Sequence, residues 1–139
     1  MIQFFAPGIP RPGGSKTYKG RSKAGRAILV DASKYGKDWR AMVALACADA
    51  SRAALEGPLS MDVTFIMPRP KSHYRANGAL KDSAPVYHTS KPDATKLMRS
   101  TEDALTGIAW RDDAQVVRQT VVKMYGERPG AEVVIRKVD

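Results

Sequence analysis

Aspartates stand on either side of a helical pattern in the second half of this sequence. Asp93 precedes the pattern, and Asp112 and Asp113 follow the glycine that ends it, Gly107. Carboxylate oxygens are ligands that Mg²⁺ prefers, and its sites combine few carboxylates with waters and substrate phosphates. The chain is basic, with 23 Lys and Arg against 14 Asp and Glu and a formal charge of +9. A small acidic cluster in such a field is typical of metal-assisted phosphodiester hydrolysis.

A helix and the strand after it must position these aspartates. Pro92 disfavours helix at the residue before it, Asp93 is suited to cap the first turn, and Gly107 is suited to end the helix. We expect both acidic ends to reach one pocket if the strand after Asp113 runs back along the helix. The predicted buried face of the helix consists of Leu97, Met98, Thr101, Ala104 and Leu105.

Three motifs in this region resemble the signature of the RusA family of Holliday-junction resolvases. They are Lys91-Pro92-Asp93 with Leu97, Asp103-Ala104-Leu105 with Gly107, and Asp112-Asp113-Ala114-Gln115-Val116. The close match covers about residues 91 to 117, whereas the remainder agrees in length and in the order of its elements. The resemblance implies a Mg²⁺-dependent endonuclease, with Mn²⁺ as an alternative ion, that acts in recombination and repair. It also implies a homodimer that cuts four-way DNA junctions by paired nicks and needs no small-molecule cofactor.

The resemblance further implies roles for individual residues. Asp93 and Asp113 are expected to be catalytic, metal-binding carboxylates, with Asp112 beside them. Arg99 stands where the family has a catalytic Lys or Arg, and Lys96 stands where it has Asn or Lys. Either cation is expected to neutralise charge that develops on the phosphate in the transition state.

Thr95 departs from the family pattern, which has a second aspartate at this position. A threonine hydroxyl is a metal ligand without charge, so metal affinity should fall unless Glu102, Asp103 or Asp112 compensates. Two alternatives to an active nuclease therefore stay open. The protein is a weak or inactive nuclease that still binds junction DNA, or the aspartates serve only to cap the helix and shape the turn.

Two basic stretches, at about 7–30 and 68–91, are predicted to be loops that contact DNA. From Arg11 to Arg40 there are nine basic residues against two acidic ones, and the second stretch has five against one. Lysine and arginine on loops bind phosphates and give affinity without reading sequence. The predicted DNA contacts are Arg11, Lys16, Lys19, Arg21, Lys23, Arg26, Arg69, Lys71, Arg75 and Lys91.

Length and patterning predict one α+β domain over residues 1–139, with a mixed sheet of about four strands, two main helices and a RusA-like, homodimeric organisation. Strands are expected at 2–6 and 60–67, and a terminal hairpin is expected after Asp113. A first helix is predicted from a cap at Asp31 or Ser33 to about Leu55. Its predicted core face is Tyr35, Trp39, Met42, Val43, Ala46, Ala50 and Ala54.

The remaining sequence signals concern compartment and metal ligands. Cys47 is the single cysteine, so no internal disulfide can form, and it is expected to be a buried small hydrophobe. His73 and His88 are too far apart for a zinc site and are predicted to lie at the surface. No apolar run approaches a membrane span and no signal peptide is evident. The protein is expected to act in the cytoplasm of a bacterium or phage-infected host.

Overall fold

The fold is a four-stranded sheet with two helices, seen in a computed structural model that describes residues 1–13, 16–21, 27–31 and 36–139. The sheet has the order β1-β6-β4-β5, and β2 and β3 pair separately. β5 is parallel to β4, whereas β6 is antiparallel to it, so the sheet is mixed. The predicted α+β class is confirmed. The elements are β1 (Ile2–Pro7), β2 (Lys16–Arg21), β3 (Ala27–Asp31), α1 (Gly36–Ala50), β4 (Leu59–Met67), α2 (Ala94–Leu105), β5 (Val116–Tyr125) and β6 (Gly130–Lys137).

The hydrophobic core lies on one face of this sheet. Met61, Val63, Phe65 and Met67 alternate along β4 and are all buried, as their spacing predicts. α1 contributes Trp39, Val43 and Cys47 to the same core, which confirms the expectation for Trp39 and the cysteine. α1 packs against β1 and α2, and α2 packs against β5. Both helices therefore cover the face on which the odd-numbered residues of β4 lie.

The predicted terminal hairpin is wrong, because β4 lies between β5 and β6. The connection of residues 126–129 passes the end of β4, where the backbone N–H of Gly126 donates to the carbonyl of Met67 at 3.1 Å. Two strands on either side of a third are about 10 Å apart, and four residues span up to about 13 Å. A short turn between antiparallel strands is therefore compatible with both arrangements, and the sequence pattern cannot separate them.

Two described segments of the first basic stretch are strands, where the prediction was a loop. β2 and β3 form an antiparallel pair within the predicted loop, with Thr17 opposite Val30 and Tyr18 opposite Leu29. Apolar and β-branched residues in β3 favour this pairing over a loop. The second stretch, 68–91, contains only a 3-10 turn, Lys71–His73, and isolated bridges.

α1 is shorter than the predicted helix. Asp31 is the last residue of β3, and the predicted positions Ser33 and Tyr35 lie outside the described residues. At the other end, α1 stops at Ala50, and the backbone N–H of Leu55 bonds instead to the carbonyl of Ala109 at 2.7 Å. This tertiary hydrogen bond uses a donor that a longer helix would need for its own backbone. Of the predicted core face, Met42, Ala50 and Ala54 are exposed.

α2 agrees with the prediction in place and in face. Leu97, Met98, Thr101 and Leu105 are buried and Ala104 is partly buried. The helix ends before Gly107, whose φ of +94° is a conformation that suits glycine. Neither helix in the described part of the chain is long and apolar enough to cross a membrane.

Candidate active site

β5 runs back along α2, which is the geometry that a shared site needs. Near the end of β5, the ammonium group of Lys123 donates to the carbonyl oxygens of Ser90 and Pro92, both at 2.9 Å, just before α2 begins. At the other end, Asp113 precedes β5 and acts electrostatically on Glu102 in the last turns of α2. The helix and the strand therefore form the two walls of one cleft, with acidic residues at both ends.

The cleft has a volume of about 290 Å³ and is lined by both polar and apolar side chains. Residues three, four and seven apart share one face of a helix, and alternate residues share one face of a strand. β5 presents its odd-numbered residues, because Gln119 and Val121 pair in register with the buried Met61 and Val63 of β4. The lining residues are Ala94, Thr95, Met98, Arg99 and Glu102 of α2 and Gln119 and Val121 of β5.

Glu102 is the carboxylate that lines this cleft, and its side chain is half-buried. Burial raises its pKa, and the carboxylates of Asp113 and Asp103 raise it further, while the guanidinium of Arg99 acts in the opposite direction. Asp113 and Asp103 are exposed. The C-terminal end of α2 therefore combines mutually repelling carboxylates with one cation at the edge of a cleft.

Asp93 lies at the other end of α2. It occupies the position before the first helical residue, but its side chain makes no capping hydrogen bond, and Lys96 Nζ lies 3.9 Å from its Oδ2. Glu102 is about 13 Å further along the helix axis, at about 1.5 Å per residue. Thr95 and Arg99 line the cleft, whereas Asp93 and Asp113 are not among its lining residues. In the described parts of the chain, no group of three or more His, Cys, Asp or Glu side chains could hold one metal ion.

The turn over Asp113–Gln115 is held by its neighbours and gives Asp112 a structural role. Asp112 Oδ1 accepts a hydrogen bond at 2.9 Å from the backbone N–H two residues on. Gln115 Oε1 accepts from two backbone N–H groups of the turn, at 3.0 and 3.1 Å. Its Nε2 donates to the carbonyls of Leu55 and Gly57, at 3.1 and 3.0 Å. Gln115 thereby fixes the turn that carries Asp113 to the segment after α1.

The predicted DNA contacts divide into surface cations and anchored ones. Arg69 donates to the carbonyl of Pro85 at 2.7 Å and lies 5.3 Å from the ring centroid of Tyr125, so it anchors the loop. Arg75 pairs with Asp82 at 3.2 Å. Lys71 and Lys91 are exposed, Arg11 is half-buried, Lys16, Lys19 and Arg21 lie on β2, and Lys23 and Arg26 lie outside the described residues.

Two cleft-side residues of β5, Gln119 and Lys123, were not predicted from the sequence. The alternation of residues along β5 shows that the two share one face. Which face points towards α2 depends on the pairing with β4, which the sequence does not show.

The prediction that His88 lies at the surface is wrong. It is 9% exposed and its ring packs on Tyr125 with centroids 5.1 Å apart.

The structure defines a basic α+β protein, with a formal charge of +9, in which a helix and an edge strand enclose a carboxylate and a guanidinium. The chain belongs to the RusA endodeoxyribonuclease family, because the family model, Endodeoxyribonuclease RusA, matches residues 7–136. It is also similar to Uncharacterized protein YqaN of Bacillus subtilis (strain 168). The two are 33% identical over 141 residues, which cover 99% of this chain and 96% of that protein. The resemblance read from three motifs is confirmed and extends over nearly the whole chain.

Proposed function

We propose that this protein is a Mg²⁺-dependent endonuclease that resolves four-way DNA junctions by paired nicks. Its family implies Holliday-junction resolvase nuclease activity, and the match spans residues 7–136. The observation that carries the proposal to this chain is the cleft between α2 and β5. There Thr95, Arg99 and Glu102 come together beside Asp113. The basic surface supports a polyanionic substrate.

The donor set of the cleft fits a divalent cation. RusA resolvases are generally divalent-metal dependent. Mg²⁺ is held in phosphoryl-transfer sites by one or two carboxylates with waters and substrate phosphates. Glu102 and Asp113 supply two carboxylates whose mutual repulsion, with burial, raises the pKa of Glu102, and a cation would relieve that repulsion. When bound, Mg²⁺ supplies Lewis-acid activation of the phosphodiester and of the attacking water.

We assign the residues of this chain the following roles. Glu102 and Asp113 hold the ion at one end of the cleft, with the Thr95 hydroxyl along its wall. Arg99 lies between Thr95 and Glu102 along α2 and neutralises charge on the phosphate. Asp93, with Lys96 beside it, lies at the other end of α2, and both keep the catalytic roles that the family motif implies. Asp112 supports the turn through its Oδ1, which accepts a backbone hydrogen bond, and stands beside Asp113 as the family motif implies.

A second function, junction binding without cleavage, is favoured by one observation. Thr95 lines the cleft where the family pattern has an aspartate, so the site carries one fewer negative charge. In that case the basic surface would still bind junction DNA, but Mg²⁺ would bind too weakly for hydrolysis. Glu102 on the same helix face supports retained activity, because its carboxylate replaces the missing charge within the cleft.

We further propose that two copies assemble about a two-fold axis, because paired nicks need two related active sites. Both helices are candidate interfaces. The exposure of Met42 and Leu45 on α1, at 37% and 59%, supports α1. Sedimentation velocity of wild type and Leu45→Glu tests this, with a dimer expected for the first and a monomer for the second. A dimer in both would exclude this face.

The proposed activity is tested with a labelled four-way junction and a linear duplex of the same arm sequences, each with Mg²⁺, Mn²⁺ or EDTA. We expect paired nicks on the junction alone, and only with a metal ion. Asp113→Asn should abolish cutting and leave junction binding in EDTA unchanged. Tight binding without cleavage by wild type would favour the second function. Equal cutting and equal binding of the junction and the duplex would refute both proposed functions.

A further inference from the structure

Lys123 links strand β5 to the segment that leads into α2. Its ammonium group has three donors, and two of them bond to the carbonyl oxygens of Ser90 and Pro92, each at 2.9 Å. The Pro92 carbonyl belongs to the peptide bond that joins Pro92 to Asp93. A side chain on β5 therefore holds the backbone of a predicted catalytic carboxylate directly.

This link is the last of several along the same edge of the sheet. The backbone N–H of His88 donates to the carbonyl of Lys123 at 3.2 Å, and the N–H of Tyr125 donates to the carbonyl of Val86 at 2.9 Å. The ring of His88 also packs on the ring of Tyr125. Residues 86–88 thus extend the sheet beside β5, and the Lys123 side chain continues the attachment up to the start of α2.

The other hydrogen bonds here act on the first turn of α2 and not on the peptide bond before Asp93. The backbone N–H of Leu97 donates to the Asp93 carbonyl and that of Gly13 donates to the Lys96 carbonyl, both at 3.0 Å. Pro92 has no backbone N–H with which to bond. The Asp93 side chain makes no capping hydrogen bond, although the residue stands at the capping position. Asp93 is exposed, so core packing does not fix it either. The two bonds from Lys123 therefore attach the segment that ends in the Pro92–Asp93 peptide bond to β5, whereas the Asp93 carbonyl is joined to α2.

We propose that Lys123 is a positioning residue that holds Asp93 in register with the cleft between α2 and β5. The inference rests on the proposed nuclease function, since it assigns Asp93 a part in that reaction. Lys123 acts through the carbonyls before Asp93 and does not touch substrate. Misplacement of a reacting group by about 1 Å can cost about 10²-fold in rate.

The test compares Lys123→Met with Lys137→Met in the junction-cutting assay. Methionine keeps an unbranched apolar stem and removes both hydrogen bonds. Lys137 is exposed at the end of β6, so its variant loses the same charge away from the cleft. We expect kcat of Lys123→Met to fall about 10²-fold, while KM for the junction changes little and Lys137→Met cuts like wild type. Circular dichroism at the assay temperature establishes that both variants are folded.

Chemical rescue separates the ammonium group from the bulk of the side chain. Lys123→Cys treated with 2-bromoethylamine carries a lysine analogue at this position. Cys47 should not react, because it is buried and burial raises the pKa of its thiol to about 11. We expect the treatment to raise the kcat of Lys123→Cys at least about tenfold. A Lys123→Cys protein that stays inactive after complete modification would overturn the proposal.

A further readout needs no catalysis and separates this inference from the proposed function. Amide hydrogen exchange at Leu97, whose N–H bonds to the Asp93 carbonyl, should be faster in Lys123→Met than in Lys137→Met, because the start of α2 loses its tether. If wild type does not cut junctions, the proposed function fails, and equal exchange in the two variants would then also refute the tether. If wild type cuts and Lys123→Met has an unchanged kcat, the positioning role fails and the nuclease stands.

Discussion

Gln115 should control the stability of the turn that carries Asp113. Its side-chain amide makes four hydrogen bonds of 3.0 to 3.1 Å, two within the turn and two to the carbonyls of Leu55 and Gly57. Those carbonyls lie about sixty positions earlier in the chain, so this one side chain closes a long loop. Gln115→Met keeps the size of the side chain and removes all four bonds.

The expected loss can be worked from these contacts. A net hydrogen bond contributes about 0.5–1.5 kcal/mol, and the lower end applies where water can replace the partner. Most of the four bonds are exposed, so Gln115→Met should lower the free energy of unfolding by about 2 kcal/mol. For a domain of this size that corresponds to a Tm lower by roughly 6–10 °C.

Gln115→Glu sharpens the test because it changes only the donor. At pH 7 a carboxylate oxygen would face the carbonyls of Leu55 and Gly57, so the loss should equal or exceed that of Gln115→Met. These oxygens raise the pKa of the new carboxyl above its unfolded value, so stability returns as pH falls through that raised pKa and is fully restored below the unfolded value of about 4.3, where the protonated form donates. Thermal unfolding by circular dichroism at pH 7 and pH 4 measures both effects. Gln3→Glu, exposed on β1, is the matched control. A Gln115→Glu protein as stable as this control at pH 7 would refute the reasoning.

Four further outcomes are expected. Thr95→Asp should match or exceed wild-type cutting and lower the Mg²⁺ concentration for half-maximal rate, because it adds charge to the cleft; a large loss would show a pocket rebuilt around threonine. Glu102→Gln should reduce kcat by about 10²-fold or more without lowering Tm in EDTA, since it removes a half-buried charge beside Asp113; unchanged cutting would exclude Glu102 from the site. Burial, and after it the positive charge of Lys123, lowers the pKa of His88 from 6.5. The unfolded chain therefore takes up the proton first, and stability should fall as pH drops below 6.5. Urea unfolding of His88→Asn should show a weaker dependence of stability on pH. The Cys47 thiol should resist iodoacetamide at pH 8 until the protein unfolds, as mass spectrometry can measure.

Local patterns sufficed for much of the fold. The alternation of β4 and the helical spacing from Leu97 to Leu105 each depend on residues within a few positions, and both elements were found where expected. The RusA motifs are equally local, so the family could be read from about 27 residues before the whole-chain match confirmed it. The ends of α1 were less predictable, because the contact of Leu55 with Ala109 joins residues far apart in sequence.

By itself, the sequence determined the family, the α2 helix with its polar face, and the residues Asp93, Thr95, Arg99 and Asp113 as candidates for phosphodiester chemistry. Only the tertiary structure decided that β4 separates β5 from β6, since one short connection fits either pairing. That pairing turns alternate residues of β5 towards α2 and so makes the cleft wall and the Lys123 tether. Strand order is set by hydrogen bonds between distant segments, and the sequence pattern within β5 does not specify which strand pairs with it.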